Sequence, residues 1–163
     1  MVNRVIIVMG VSGSGKSSVG GALAGALGAT FVEGDDYHPA ENRAKMAAGT
    51  PLTNEDRRAW IAAIASDINT QTSRCVLACS ALNETVRGWL GKGVEAPVTY
   101  VFLHGDKVLI AERLKTRRGH WFDPSLLDSQ FEALDPPSDA ICVDIEQSID
   151  DIVFDILAAL DRA

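Results

Sequence analysis

The chain has 163 residues, enough for one domain with a full apolar core, and 47% of them are hydrophobic, an ordinary share for a globular protein. Its net charge of −7 argues against nucleic acid or an anionic membrane surface as the main partner. No apolar run approaches the ~20 residues that span a bilayer. The first apolar run begins at Val5, which leaves no room for a signal peptide, and Cys75, Cys79 and Cys142 are an odd number in or beside predicted strands. Core thiols of a cytoplasmic protein are therefore expected, in place of disulfides or a zinc site.

Val5-Ile6-Ile7-Val8 is a continuous apolar run, as a strand buried on both faces requires. It leads into Gly10-Val11-Ser12-Gly13-Ser14-Gly15-Lys16-Ser17, which fits G-x-x-x-x-G-K-[ST], and Val19, Leu23 and Leu27 then recur at helical spacing. Glycines at 10, 13 and 15 permit backbone conformations closed to other residues, so successive N–H groups can face one anion. The new helix adds its positive N-terminal end. Gly10 to Ser18 thus form the expected nucleotide-binding stretch. Lys16 reaches the outer phosphates of the nucleotide, and the Ser17 hydroxyl holds Mg²⁺.

Thr30 to Glu33 reads as a second strand ending in Gly34-Asp35-Asp36. Pro39 opens a short helix closed by Gly49, and Thr53 caps the next one, with Asp56 three residues on and Trp60, Ile61, Ile64 and Ile68 as its buried stripe. Cys75 to Cys79 is a third apolar strand, followed by Ser80-Ala81 and a helix ending near Gly91. Val98 to Leu103 is the fourth strand, and Asp106 starts a helix carrying Ile110 and Leu114. A helix over about Ser125 to Leu134 precedes the fifth strand, Ile141 to Val143. Ser148 caps a last helix with Ile149, Ile152, Val153, Ile156, Leu157 and Leu160 inward. Strands alternating with helices imply a five-stranded parallel sheet covered on both faces, with ligands beyond the carboxyl ends of the strands.

That crevice gathers the candidate chemistry. Asp35 or Asp36 can orient an acceptor hydroxyl and take its proton during phosphoryl transfer. His38 either bonds a polar substrate or fixes the turn before Pro39. Arg43, Lys45, Arg57 and Arg58 lie on the segment of about 36–72 that covers an acceptor site in this architecture, where an arginine can clamp a carboxylate. Arg113, Lys115, Arg117 and Arg118 form the densest basic cluster, next to a lid of about 115–125. A second acidic residue to assist Mg²⁺ is not found at the end of strand three, which closes on Cys79-Ser80. The guanine-reading [NT]-K-x-D motif is absent, which counts against a nucleotide switch.

From end to end these residues resemble the bacterial-type gluconate kinases, small P-loop kinases related to shikimate and nucleoside monophosphate kinases. The resemblance rests on the P-loop, Gly34-Asp35 with His38-Pro39, Asn42, Lys45-Met46, Asp56-Arg57 with Trp60, and Cys79-Ser80-Ala81-Leu82. Arg113-Leu114-x-x-Arg117 with Gly119-His120, and Gln130-Phe131-Glu132, complete it. It implies a P-loop NTPase fold over residues 1–163 and ATP- and Mg²⁺-dependent phosphorylation of D-gluconate, with a homodimer in the cytoplasm. Shikimate, another sugar acid or a nucleoside monophosphate are the alternative acceptors. The resemblance implies Lys16, Asp35, Arg117 and Arg118 as catalytic residues, and Arg113 on the nucleotide. His38, Lys45, Arg57, Ser80, Arg87 and His120 fall to the substrate, with Asp35 preferred to Asp36. The family's basic residues after Cys79-Ser80-Ala81-Leu82 are replaced here by Asn83-Glu84, so a lysine restored at Asn83 is expected to lower KM for gluconate.

Overall fold

The computed structural model describes residues 4–117 and 125–163. The strands are β1 (Val5–Met9), β2 (Thr30–Glu33), β3 (Cys75–Ala78), β4 (Val98–His104) and β5 (Ile141–Asp144). They form one parallel sheet in the order β2-β3-β1-β4-β5. The helices described are α1 (Lys16–Leu27), α2 (Ala40–Ala47), α3 (Asn54–Thr70), α4 (Glu84–Gly93), α5 (Lys107–Thr116), α6 (Ser125–Ala133) and α7 (Ile149–Asp161). None of the described helices is long and apolar enough to cross a membrane.

The continuous apolar run of β1 is explained by its place at the centre of the sheet. Val5, Ile7 and Met9 enter one core with Trp60, Ile61, Ile64 and Ile68 of α3 and Leu90 of α4. Ile6 and Val8 enter the opposite core with Val19 and Leu23 of α1 and Ile152, Val153 and Ile156 of α7. Each residue of β1 is thus removed from water, on alternating faces. Trp60, 1% exposed, is the largest fully buried side chain among the described residues, and truncating a residue of this kind costs about 3–5 kcal/mol.

Local signals set the helix ends. Thr53 and Asp56 form a reciprocal capping box at α3, a device whose loss costs about 1 kcal/mol. Gly34 joins β2 to a 3-10 turn, Gly34–Tyr37. A Cβ at Gly34 would lie 2.5 Å from the Ala78 carbonyl oxygen, so only glycine lets this chain end lie against β3. That close approach sets Asp35 over the carboxyl edge of the sheet.

Two burial expectations are corrected. Cys142 is exposed: β5 is an edge strand, and its Val143 faces the core with α7 while Cys142 points the other way. Ile149 is 44% exposed at the first turn of α7, where it borders a cavity and not the core.

Candidate active site

Two cavities adjoin the P-loop. The first, about 340 Å³, is lined by the loop from Ser12 to Val19, by Arg113 and Arg117 at the end of α5, and by Ile145, Gln147 and Ile149 after β5. Gly13 and Gly15 take φ of 81° and 94°, conformations open to glycine at little cost, and these turn the loop into α1. Gly10 and Val11 lie beneath the loop and do not line the cavity. Val11 is buried, and its carbonyl accepts a hydrogen bond from Lys16 Nζ at 3.0 Å. Burial lowers the Lys16 pKa, opposed by the negative charges of Asp35 and Glu33 and reinforced by Arg117.

The second cavity, about 370 Å³, lies between α2, α3, Ser80 and α6. Arg43 and Arg57 bring two guanidinium groups to it, and His38, Ser80, Ser129 and Gln130 add neutral polar groups. Burial lowers the Arg57 pKa, while the Asp56 charge opposes the shift. Ser12, Lys16 and Asp35 line both cavities, so a cation and a carboxylate stand at the junction of an anion-binding loop and a separate chamber. Asp36 is exposed and lines neither.

Some expected site residues have other partners. Lys45 Nζ donates to both carboxylate oxygens of Asp56, at 2.9 and 2.8 Å, tying α2 to the start of α3. It does not line the acceptor-side cavity. Arg87 donates to the Ala81 carbonyl at 2.9 Å and lies 4.0 Å from Asp135. Ala81 has φ of 44°, a left-handed conformation rare for a non-glycine residue, so Arg87 braces the strained turn that presents Ser80. Arg118 and His120 lie outside the described residues.

Asn83 also belongs to the framework. Its Oδ1 caps α4 by accepting from the Val86 N–H at 3.0 Å, and its Nδ2 donates to Asn54 at 3.1 Å. The expected gain from a lysine there is thereby corrected, because the side chain is committed to the cap and lies off the cavity lining. Asn83→Lys is now expected to leave KM for gluconate unchanged. Loss of the cap should cost about 1 kcal/mol, and Tm should fall by about 2–4 °C in a thermal melt.

Sequence reasoning missed two polar groups at the loop. Ser17 Oγ donates to Glu33 Oε2, so the acid sought at the end of β3 stands at the end of β2. Gln130 of α6 accepts from the Ser12 N–H at 2.7 Å and donates to Ser12 Oγ at 3.2 Å, holding the P-loop against the wall of the second cavity. An acidic last residue of β2 was a visible signal for Glu33. Gln130 gave none beyond its place in the family pattern.

Fold and cavities together define a P-loop phosphotransferase: a phosphate-binding loop at a sheet edge, opening on a second chamber for an acceptor. A family model described as an AAA domain matches residues 5–135. The chain is 38% identical over 178 residues to a probable gluconokinase of Xenopus tropicalis, an alignment covering 97% of this chain and 94% of that protein. It is 39% identical over 158 residues to the thermoresistant gluconokinase of Escherichia coli, with 93% and 90% covered. The crystal structure of a gluconokinase from Sinorhizobium meliloti matches with a TM-score of 0.88 at 44% identity, covering 98% of this chain and 92% of that one. The chain belongs to the gluconokinase family.

Proposed function

We propose that the chain transfers the terminal phosphoryl group of ATP to the terminal hydroxyl of D-gluconate, giving 6-phospho-D-gluconate. The observation that carries this reading is the junction of the two cavities at Ser12, Lys16 and Asp35. Phosphoryl transfer needs donor and acceptor in line, with cations on the moving charge and little covalent work by the protein.

In this reading the P-loop N–H groups, Lys16, Arg113 and Arg117 hold the phosphates from the first cavity, with Arg118 as a further cation. Arg57 and Arg43 attract the acceptor's carboxylate, and Ser80 bonds its hydroxyl groups, with His120 as a further contact. Asp35 orients the terminal hydroxyl and accepts its proton as the oxygen–phosphorus bond forms. Ser17 and Glu33 offer the hard oxygen donors that Mg²⁺ prefers. Among the described residues no group of three or more His, Cys, Asp or Glu side chains is gathered as a metal cage. When bound, Mg²⁺ would supply charge that neutralises the transferring phosphoryl group.

A single domain over residues 1–163, a homodimer and a cytoplasmic setting are part of the proposal. The free thiols of Cys75, Cys79 and Cys142 support the cytoplasmic setting. The test is a coupled ATP-consumption assay across gluconate, shikimate, other aldonates and nucleoside monophosphates. Gluconate is expected to give the highest kcat/KM, and a clear preference for another acceptor would overturn the assignment.

A further inference from the structure

We propose that His38 is a positioning residue for Asp35, locked by Asn42 in the tautomer whose Nε2–H faces the Asp35 carboxylate. The inference rests on the reading of Asp35 as the acceptor-side carboxylate. Asn42 is 2% exposed, and its side-chain nitrogen has two neighbours. One is the Asp56 carbonyl oxygen at 2.8 Å and the other is His38 Nδ1 at 3.2 Å. A carbonyl oxygen can only accept, so the amide group must present its NH₂ to this side. Its second hydrogen then points at Nδ1, which must carry the lone pair. The imidazole proton is left on Nε2, and Nε2 lies 3.9 Å from Asp35 Oδ1.

The surroundings hold both partners still. The His38 ring stacks on Trp60, with centroids 4.0 Å apart and planes 15° from parallel. Trp60 Nε1 donates to the Gly34 carbonyl at 2.7 Å, pinning the residue next to Asp35. Arg43 donates to the backbone carbonyls of His38 at 3.3 Å and Asp35 at 3.1 Å. The charged groups facing the imidazole are Asp35 on its own turn, Arg43 of α2 and Arg57 of α3. Burial, with the two arginines, holds the imidazole pKa down at about 4 against the pull of Asp35. A neutral N–H donor orients the carboxylate without cancelling the charge that must receive the substrate proton. An imidazolium at the same place would form an ion pair and weaken that basicity. At 3.9 Å the two groups face each other beyond hydrogen-bond length, and catalytic contacts of this kind tighten in the substrate complex.

Long-range proton–nitrogen NMR of the intact protein reads the tautomer directly. Between neutral pH and about 5, His38 is expected to show a protonated Nε2 and an unprotonated Nδ1. In kinetics, His38→Phe keeps a ring on Trp60 but removes the donor, and should lower kcat on the order of tenfold with KM for ATP unchanged. His38→Gln, whose amide nitrogen can reach the place of Nε2, should recover most of the loss. An Nδ1–H tautomer in the wild-type spectrum overturns the proposal even where a variant fails to fold. Full activity of His38→Phe beside a crippled Asp35→Asn overturns the positioning role and leaves Asp35 in place. Full activity of both variants removes the Asp35 reading itself, and this inference with it.

Discussion

Lys16→Ala is expected to lower kcat by roughly 10²- to 10³-fold or more, the range seen when one preorganised donor is removed from developing transition-state charge. The ammonium borders both cavities, so it can follow the phosphoryl group from donor to acceptor. Its half-buried setting, braced on the Val11 carbonyl, makes its charge more effective than one in water. Arg113 and Arg117 line only the first cavity and cannot replace it at the junction. The fold should survive, because the side chain belongs to neither apolar core. Steady-state kinetics on gluconate, with a thermal melt as control, measures this. A near-normal kcat in a folded variant would refute the assigned role of the loop.

The sequence was most readable where one residue's environment depends on its near neighbours. The run Val5 to Val8 implied a strand buried on both faces, and the alternation of β1 between two cores is what such a run requires. Thr53 and Asp56 announced the start of α3 because a capping box closes within four residues. The charged side chains were less readable, since their partners are set by sheet order and helix packing. Lys45 and Arg87 stood in family-like positions, yet their charges go to Asp56 and to the Ala81 turn. Glu33 is hard to place from sequence because β3 is the strand beside β1, whereas the Ser17 hydroxyl is reached from β2. Arg43 read as one of four basic residues on the segment that covers an acceptor site. Its guanidinium in fact crosses to the backbone of Asp35 and His38, a contact made possible by the 3-10 turn ahead of α2.

Asp35→Asn should lower kcat on gluconate by roughly 10²- to 10⁴-fold while ATP binding stays near wild type. A primary hydroxyl is a poor nucleophile unless it is aligned and relieved of its proton as the new bond forms. Asp35 borders the junction of the two cavities, and Glu33 Oε1 accepts from its backbone N–H at 3.4 Å. The Asn substitution keeps the shape and removes the charge, so neither the turn nor the P-loop is disturbed. Asp36 supplies the matched control. It is the next residue on the same 3-10 turn and also exposed, yet it lines neither cavity. Asp36→Asn should therefore leave kcat within about twofold, as surface substitutions usually change energies by no more than ~0.5 kcal/mol. Calorimetry for ATP and steady-state kinetics for gluconate measure both variants. A crippled Asp36→Asn beside an active Asp35→Asn would show that the wrong aspartate had been chosen. Activity retained in both would mean that the hydroxyl is activated by the phosphate-side cations alone, with no carboxylate base.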